Sequence, residues 1–552
     1  MVLLNYNNKK SFREMDYFKF QKDIDEDYRA EFVNWIIDRH WNYKLKLRTF
    51  FLGITLFDKY LSVTYINNDE LFPIGATCLF ISAKIEEVYS LDINDIFYLL
   101  EKEYSSEEIL ELESKILTAL NFKIYHPTIA EHLKIMIKKK KLNSININFC
   151  TFLAMATQLT IDYMFIDPIE LVEKIIEFVT NFQNIYSFTQ EFVNSDPIYA
   201  FLFKCWYDLK KSGYDSLINK YNLAKYSCIS KIKIPKFKLI NYQSPKNIMA
   251  PSNIVHETDK KISIYSRESI AVRINIEQIG SGTYGKVKKV IINGKMIAMK
   301  KAIKNDDNDG IQFHILREIN ALCILSHENI ICMDGCYHDW MTESTYIGLE
   351  LMDKDLHSVN FSTVEESIKF SYILQLLSAV KYMHDNNIMH RDISAKNILI
   401  KNDVLKLSDL GSSKYFVDDK YDSLLTMTIC TLNVRAIELL LGQNPYTHKI
   451  DIWSCACIIC HILDGKTPFT GNDEKEIIMH IFKKLGTPTT GFGENLCQLP
   501  EFNAKYPIYK NKTLGNIDMI YPNQCKILHK MLNYDPEKRL SAKESLQQFT
   551  YL

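Results

Sequence analysis

The sequence lacks an excess of either charge, long apolar runs, and any enrichment in glycine or proline. Of its 552 residues, 66 are Lys or Arg and 67 are Asp or Glu, which gives a formal net charge of −1. This balance removes any whole-chain argument for electrostatic binding to nucleic acid or to a membrane surface. Only 18 Gly and 14 Pro are present, which argues against collagen-like or low-complexity repeats. No uncharged apolar run reaches the roughly 18 residues that a membrane span needs.

The sequence also lacks the usual signs of secretion. Its 13 Cys are scattered along the chain instead of forming the dense framework of a small disulfide-linked domain. The first residues, MVLLNYNNKKSFREMD, reach charged side chains quickly and have no basic region before an apolar core, so no signal peptide is expected. We therefore expect an intracellular, soluble protein of the cytoplasm or nucleus, with no nucleic acid or membrane partner.

The chain is long enough for several domains, because a typical domain has about 100–150 residues. Its hydrophobic fraction of 47% and charged fraction of 24% are ordinary globular values. Between Tyr28 and Tyr226 the apolar residues recur at helical spacing, which predicts an all-α half. The predicted helices cover residues 46–62, 72–86, 106–120, 129–137, 149–164, 169–182 and 198–211.

The second half has a different pattern. Residues 236–270 carry Asn, Ser, Pro and Lys without periodicity, which predicts a linker. Short β-type runs follow at 272–280, 286–292 and 296–303, and helical segments dominate beyond Thr363. A small strand-rich lobe followed by a larger helical lobe is an α+β arrangement.

A glycine-rich turn between two predicted strands begins an ordered series of motifs. Residues Gly280-Ser281-Gly282-Thr283-Tyr284-Gly285 let a hairpin close over phosphates without side chains in the way, although such a motif alone is weak evidence. Lys300 lies on the next strand, and Glu318, 18 residues further on, lies in a helical stretch suited to pair with it. The series is completed by His390-Arg391-Asp392, Asn397 and Asp409-Leu410-Gly411.

This ordered set resembles the eukaryotic protein kinases over about 271–552, with a small lobe of about 271–353 and a large lobe of about 354–552. The resemblance implies that Asp392 accepts or orients the proton of the substrate hydroxyl. It implies that Lys300 and Glu318 position ATP. The positions implied for Mg²⁺ are Asn397 and Asp409. The other positions implied for ATP are Ile279, Gly280, Ser281, Gly282, Thr283, Tyr284, Gly285, Val287, Ala298, Glu350, Met352 and Asp355.

Two further catalytic positions, Lys396 and Thr431, bear on the choice of hydroxyl. Ser394 stands where the family has a Lys, two residues past Asp392, whereas Lys396 resembles the cation position of tyrosine kinases. Thr431 resembles the serine/threonine-kinase form of the activation segment. The expectation is therefore a serine/threonine kinase, with dual specificity that includes tyrosine left open.

Several motifs resemble the cyclin-dependent kinases within that family. They are Asp451-Ile452-Trp453-Ser454, Leu485-Gly486-Thr487-Pro488, Tyr534-Asp535-Pro536 and Lys538-Arg539-Leu540-Ser541-Ala542. The segment from Thr431 to Glu438 resembles the family's TLWYRAPE, and the resemblance implies an ion pair between Glu438 and Arg539. It also implies a preference for Pro directly after the target residue, shaped by Ile429, Cys430, Leu432 and Arg435.

The same resemblance implies regulatory positions. Thr426, five residues before Thr431, stands where the family carries its activating phosphothreonine. The three basic positions that clamp such a phosphate are matched by Arg317, Arg391 and Lys414. Thr283 and Tyr284 match inhibitory phosphorylation sites, and the alternative is that they are ordinary loop residues.

The first half resembles a cyclin. The matching residues are Tyr28-Arg29-Ala30-Glu31-Phe32-Val33-Asn34-Trp35, Ala83-Lys84-Ile85-Glu86-Glu87 and Leu112-Glu113. They place a cyclin box at 26–125, after an extension at 1–25 and before a divergent second helical repeat at 126–235. The resemblance implies that Lys84 and Glu113 bond the backbone beside the helix carrying Glu318, and that Arg29 braces them. The expected fold is multidomain, with an all-α cyclin fold of two helical repeats followed by an α+β bilobal protein kinase fold.

Two classes of function follow from these matches. An active kinase with a fused cyclin as its built-in activator, docked in cis, would phosphorylate protein substrates with ATP and Mg²⁺. A pseudokinase with a cyclin scaffold would instead bind or activate another kinase in trans. The presence of Lys300, Glu318, Asp392, Asn397 and Asp409 favours the enzyme.

Overall fold

The computed structural model divides the chain into a helical first half and a second half of strands and helices. The residues that it describes are 17–124, 128–183, 188–239, 242–248, 263–264, 278–282, 285–292, 294–302, 310–339, 344–416, 430–489, 493–510 and 513–552. This arrangement confirms the predicted fold class, with an all-α half before an α+β half. Within the described residues, no helix has both the length and the apolarity needed to cross a bilayer.

The first half consists of two groups of helices. The first group contains α1 (Glu26–Asn42), α2 (Leu47–Val63), α3 (Leu71–Glu86), α4 (Ile93–Leu99) and α5 (Ser106–Ala119). The second group contains α6 (Ile129–Lys140), α7 (Ser144–Ala156), α8 (Pro168–Gln183), α9 (Gln190–Asn194), α10 (Pro197–Leu209) and α11 (Asp215–Tyr221). Helix α3 is buried along almost its whole length. This is expected because its sequence is apolar on every side up to the last turn, where the buried Lys84 and Glu86 are held in ion pairs.

One predicted helix is shorter in the structure. The apolar spacing predicts a helix over 149–164, but α7 ends at Ala156 and two 3₁₀ turns follow at Thr157–Leu159 and Ile161–Phe165. Thr160 between them has an extended backbone, and its side chain accepts a hydrogen bond from the backbone N–H two residues further on. Because this cap begins a new turn, the apolar spacing continues while the helix does not.

A buried ion pair joins the two helical groups. The Arg29 guanidinium donates to both carboxylate oxygens of Asp58, at 2.8 Å each, and to the backbone O of Gln158 at 2.7 Å. Tyr17 and Tyr163 donate their hydroxyls to the same carboxylate. Since Gln158 and Tyr163 follow α7, this network connects the second group to α1 and α2.

The small lobe of the second half contains a six-stranded sheet in the order β1-β5-β6-β4-β3-β2. Its strands are β1 (Ser263–Ile264), β2 (Gln278–Gly282), β3 (Gly285–Ile292), β4 (Lys295–Ala302), β5 (Met333–Asp339) and β6 (Ser344–Glu350). The predicted strands at 272–280, 286–292 and 296–303 correspond to β2, β3 and β4 in the described residues. Helix α13 (Phe313–Ile324) packs between this lobe and α3.

The large lobe is mainly helical. Its short strands are β7 (Lys354–Asp355), β8 (Ile388–Met389), β9 (Ile398–Lys401), β10 (Val404–Leu407) and β11 (Lys414–Tyr415). Its helices are α14 (Glu366–Asp385), α15 (Ile437–Leu440), α16 (Lys449–Asp464), α17 (Glu474–Leu485), α18 (Glu494–Cys497), α19 (Asn516–Ile520), α20 (Pro522–Met531) and α21 (Ala542–Thr550). The predicted ion pair between Glu438 and Arg539 is confirmed, because two bonds of 2.6 and 2.8 Å join the buried side chains.

The described part of the predicted linker, residues 236–270, contacts both halves. Helix α12 (Pro245–Ile248) follows Ser244, which bonds Asp162 of the second helical group. At the other end, β1 pairs in parallel with β5 of the small lobe. The lack of periodicity that predicts a linker here is compatible with these contacts, because short polar segments can add to an existing helix group or sheet edge without periodicity of their own.

Candidate active site

Lys300 lies at the centre of the candidate site, on β4, and faces Glu318 of α13. Its Nζ is 2.7 and 3.0 Å from the two carboxylate oxygens of Glu318, and 3.1 Å from Oδ1 of Asp409. Burial alone would lower the pKa of Lys300, but the two carboxylates outweigh burial and raise that pKa. Lys300 is therefore a fixed cation at neutral pH, next to the cleft between the lobes.

Asp392 lies between Thr431 and Asn397, and both residues donate hydrogen bonds to its carboxylate. Its Oδ1 accepts bonds from Oγ1 and from the backbone N of Thr431, at 2.8 and 2.9 Å. Its Oδ2 accepts a bond of 2.9 Å from Nδ2 of Asn397. The structure thus brings Asp392, Asn397 and Thr431 together and holds the carboxylate in one orientation.

Asn397 and Asp409 offer oxygen ligands for a divalent cation. Burial would raise the pKa of Asp409, but Lys300 outweighs it and lowers that pKa, so the carboxylate is ionised at neutral pH. The amide nitrogen of Asn397 bonds both Oδ2 and the backbone O of Asp392, which leaves its amide oxygen to bind a cation. Carboxylate and amide oxygens are ligands that Mg²⁺ prefers, so these residues fit that ion.

Asp451 of α16 fixes the backbone that precedes Asp392. Its carboxylate accepts bonds from the N–H groups of His390 and Arg391, at 2.9 and 2.8 Å, and lies 2.9 Å from Nε2 of His384. Sequence reasoning assigned Asp451 to a family motif but gave it no part in the site. Its place in that motif, Asp451-Ile452-Trp453-Ser454, is the signal that could have found it.

A cleft of about 1590 Å³ contains most of the positions predicted for ATP. Those lining it are Ile279, Gly280, Val287, Ala298, Lys300, Glu350, Met352 and Asp355. The backbones of Ser281, Gly282 and Gly285 lie at the ends of β2 and β3, whereas Thr283 and Tyr284 lie outside the described residues.

Three apolar residues that the sequence analysis missed also line the cleft: Ile331, Leu349 and Leu399. Leu349 lies opposite Ala298 in the pairing of β4 with β6. Leu399 follows Asn397 by two residues, on β9. Since side chains alternate along a strand, positions two residues from a predicted site residue, or opposite one on the next strand, are the signal that could have found them.

Ser394 and Lys396 both line the cleft but differ in exposure. Ser394 is 5% exposed, whereas Lys396 is exposed in the 3₁₀ turn Ala395–Asn397. The cation that this part of the loop offers to the cleft therefore comes from Lys396.

Cys430 has a left-handed backbone conformation, with a φ of 68°. Its carbonyl O accepts bonds from Nη2 and Nε of Arg435, at 2.9 and 3.3 Å. The guanidinium of Arg435 also pairs with Glu474 of α17 at 2.6 Å. Because Arg435 occupies the Cys430 carbonyl, that oxygen is not offered to an N–H group of another chain.

The three basic residues predicted to bind an activating phosphate lie where the two halves meet. Arg317 donates to the backbone O atoms of residues 84, 85 and 87, at 3.0–3.3 Å. Lys414 donates to the backbone O of Glu86 at 3.2 Å, and Arg391 donates to the backbone O of Ser412 at 2.6 Å. Thr426 and Ile429 lie outside the described residues.

Glu113 connects the cyclin-like half to the start of α13. Its Oε1 is 2.7 Å from Nζ of Lys84, and its Oε2 accepts a bond of 3.1 Å from the backbone N of Ile311. Lys84 and Glu113 are 3% and 1% exposed. The structure thus brings both predicted contact residues to the backbone beside the helix that carries Glu318.

Arg29 differs from the expectation that it braces Lys84 and Glu113. All three guanidinium nitrogens are engaged by Asp58 and by the backbone O of Gln158. Its role in the structure is to join the two helical groups, because a buried guanidinium is held by the nearest buried carboxylate.

Comparisons with known proteins agree with this geometry. A protein kinase domain matches residues 274–550, and the N-terminal domain of cyclins matches residues 2–125. Three relatives from Acanthamoeba polyphaga mimivirus are each named as a serine/threonine-protein kinase. One is 35% identical over 547 residues, which cover 96% of this chain and 98% of the relative. The others are 30% identical, over 97% and 96% of this chain and 96% and 98% of the relatives.

Proposed function

Since this chain belongs to the serine/threonine-protein kinases and carries a cyclin N-terminal domain before its kinase domain, we propose that it is a kinase of cyclin-dependent type. Its own cyclin half activates it in cis, and it prefers Ser or Thr followed by Pro. Protein kinases use ATP and a divalent cation, and the cation proposed here is Mg²⁺.

One observation carries the proposal of activation in cis. The ion pair between Lys300 and Glu318 is formed while the start of α13 is bonded to Glu113 of the cyclin half. Arg317, the residue before Glu318, is bonded to the end of α3 in the same half. Contacts from the cyclin half therefore fix the position of the helix whose carboxylate orients Lys300.

The chain's own side chains suit phosphoryl transfer. Asp392 can orient the substrate hydroxyl and take up its proton, because its carboxylate is already aligned by Asn397 and Thr431. Lys300 provides a fixed positive charge beside the cleft. A magnesium ion held by Asn397 and Asp409 would, when bound, supply neutralisation of phosphate charge. The protein's contribution is thus positioning and electrostatic stabilisation.

Catalysis is tested with Asp392→Asn and Asp409→Asn. Each variant keeps the shape of the side chain. Asp392→Asn removes the group that takes up the proton and should lower the turnover of a protein substrate by at least ~10²-fold, the lower end of the usual contribution of proton transfer. Asp409→Asn removes the charged ligand of the cation and should also lower turnover strongly. Phosphoamino-acid analysis of the products should show phosphoserine and phosphothreonine. Abundant phosphotyrosine would favour dual specificity through Lys396, and full activity of either variant would contradict the proposed roles.

Activation in cis is tested with Lys84→Ala/Glu113→Ala. The double variant should lose at least about tenfold in specific activity, because Ile311 loses its partner and α13 its support. The matched control is Lys115→Ala/Glu111→Ala, which removes an exposed ion pair from the same helix α5. Equal activity of the two variants would favour a cyclin half that acts on another kinase in trans.

The conformation of Cys430 supports the preference for Pro. A residue after the target that carries an N–H group would need an acceptor, but the Cys430 carbonyl is already bonded to Arg435. Pro has no N–H group and loses nothing there, whereas an unpaired N–H group costs about 1–3 kcal/mol. Peptides with Ser-Pro should therefore be phosphorylated about 5–150-fold faster than peptides with Ser-Ala.

Substitutions around Cys430 test this preference. Arg435→Gln should reduce the ratio between Ser-Pro and Ser-Ala peptides, because the carbonyl becomes available. Glu474→Gln is the control, since it removes the other partner of Arg435 and leaves the bonds to Cys430 in place. A wild-type ratio near one on a peptide array would remove the Pro preference and leave the kinase activity standing.

We further propose that phosphate on Thr426 raises activity and is bound by Arg317, Arg391 and Lys414.

The proposed location is the cytoplasm or nucleus. All 13 cysteines are free thiols, which suits a reducing compartment. Fractionation of cells that express the tagged protein tests the location.

A further inference from the structure

Where the cyclin half meets the kinase half, cations from both halves surround the end of helix α3. Lys46, in the cyclin half, donates to the backbone O of Glu86 at 3.0 Å. Lys414, in the kinase half, donates to the same oxygen at 3.2 Å. Arg317 donates to the neighbouring carbonyls at 3.0–3.3 Å, and Arg391 bonds the backbone two residues before Lys414.

The carboxylates next to these cations are already engaged by other groups. Glu86 pairs with Arg48 at 2.9 Å. Glu87 accepts bonds from the backbone N of Lys46 and from Oγ1 of Thr49, at 2.7 and 2.5 Å. Among the described residues, the ammonium groups of Lys46 and Lys414 bond the backbone O of Glu86 and no carboxylate oxygen. The Glu86 carboxylate therefore acts on Lys414 without a direct bond, and the nearest compensation is the partial charge at the C-terminal end of α3, about half an elementary charge.

Within the part of the chain that the structure describes, this arrangement leaves an excess of positive charge. Two ammonium groups that share one carbonyl oxygen lie close together and repel each other. Burial and the neighbouring Arg391 lower the pKa of Arg317 to about 9. Burial lowers the pKa of Lys414 as well, Lys46, Arg317 and Arg391 add to that effect, and the Glu86 carboxylate offsets it only in part. Such an excess is relieved when an anion with several acceptor oxygens binds among the cations.

A purely structural role for the cluster accounts for only part of it. One cation at the end of a helix is common and stabilises the last carbonyls. Here Arg317 already bonds three of those carbonyls. Lys46 and Lys414 lie on opposite sides of the interface, and both donate to the backbone O of Glu86. Two more ammonium groups on this single carbonyl are not needed to cap α3.

We propose that Lys46 joins Arg317, Arg391 and Lys414 in a binding site for a phosphoryl dianion that is shared between the two halves. This inference rests on the proposed activation by phosphate and adds a ligand from the cyclin half. Because the site then includes both halves, bound phosphate strengthens their docking, and docking in turn protects the phosphate. The phosphoryl group can come from Thr426 of this chain or from inorganic phosphate in solution.

The test uses the full chain with Asp392→Asn, so that it cannot phosphorylate itself. Phosphothreonine is installed at position 426 during translation, and the rate of its removal by a phosphatase is measured. Lys46→Gln should speed removal about 3–10-fold. Lys44→Gln, an exposed position two residues away, is the matched control, and Lys46→Arg should restore protection because it keeps the charge.

A second arm tests the source of the phosphate. In unphosphorylated chain carrying Thr426→Ala, millimolar inorganic phosphate is added and the thermal midpoint is followed. If inorganic phosphate raises the thermal midpoint, and the Lys46→Gln substitution abolishes that increase, the site also binds free phosphate. Protection of phosphothreonine without such a rise assigns the site to the chain's own phosphate, and both results support the proposal.

Equal rates and equal midpoints for Lys46→Gln and Lys44→Gln in both arms would overturn the shared site. Neither arm depends on kinase activity. An inactive wild type would therefore contradict the proposed function without deciding this inference.

Discussion

At the scale of single residues, Thr431 links the activation segment to Asp392, the carboxylate proposed as catalytic. Its hydroxyl and its backbone N–H both bond Oδ1 of Asp392, while Asn397 bonds the other oxygen. The carboxylate is thus held from two sides before any substrate binds. Orientation of this kind lowers the entropy that must be lost in the transition state.

Removal of the Thr431 hydroxyl should therefore slow catalysis. A hydrogen bond to a charged group is worth about 1.5–3 kcal/mol, so Thr431→Ala should lower kcat by about 10–150-fold. Thr431→Ser keeps the hydroxyl and is expected to retain most of the activity. Steady-state kinetics with a protein substrate measure both variants, and a change confined to KM would contradict the orienting role.

Residues of the site differ in how far the sequence could predict them. Lys300, Glu318 and Asp392 were found because each belongs to a short motif in a fixed order. The positive φ of Cys430 could not be predicted from the sequence, because residues other than Gly rarely adopt that conformation. The pairing of Arg29 with Asp58 could not be predicted from the sequence either, because only the packing of α1 on α2 brings the two side chains together.

At the scale of elements, the start of α13 is fitted tightly against α5. Gly310 has a φ of +68°, and a Cβ placed on it would lie 2.2 Å from Oε2 of Glu113 and 2.5 Å from Cδ2 of Leu110. The next residue, Ile311, donates its N–H group to the same Glu113 oxygen. A side chain at position 310 would therefore separate the two elements.

Gly310→Ala should lower kinase activity at least about tenfold, because Ile311 can no longer reach Glu113. The left-handed conformation alone costs about 1 kcal/mol for Ala. Gly294→Ala controls for that cost, since Gly294 has a φ of +78° and nothing within 4 Å of its Cβ position. Activity and thermal midpoint are measured for both variants. Similar activities would show that backbone strain, and not the contact, explains any loss.

The two helical groups of the first half depend on one buried network. Arg29→Met should cost about 3–5 kcal/mol, because Asp58 would remain buried without its cation. Lys204→Met, which removes an exposed ion pair with Asp208, should cost at most about 1 kcal/mol. Hydrogen exchange of the backbone amides of α1 and α7 measures the difference, and equal protection in both variants would contradict the joining role.

Prediction of the elements from the sequence succeeded where apolar periodicity was undisturbed. Helix α3 is predicted at 72–86 and found at Leu71–Glu86. The helix predicted at 149–164 failed because a polar side chain at Thr160 caps a new turn without breaking the apolar spacing. The contacts of residues 244–246 with the helical half were not predictable, since they depend on a surface formed by distant parts of the chain.

At the scale of the whole molecule, the stretch of chain between the last helix on the helical half and the first strand of the small lobe is short. Contacts with the helical half continue to α12, and β1 pairs with the small lobe, so 14 residues, 249–262, lie between these two elements along the chain. Such a length spans at most about 50 Å when fully extended. A short tether keeps the cyclin half at a roughly millimolar effective concentration around the kinase half.

Specific activity should therefore be independent of protein concentration from nanomolar to micromolar. A sharper version mixes two full-length chains. One carries Asp392→Asn and keeps its docking residues, and the other carries Lys84→Ala/Glu113→Ala and keeps its catalytic residues. At nanomolar concentrations the mixture should be no more active than the docking variant alone, because the intact cyclin half is held by its own kinase half. Rescue that grows with concentration of the Asp392→Asn chain would instead indicate docking between chains, and would place activation of this kinase in trans.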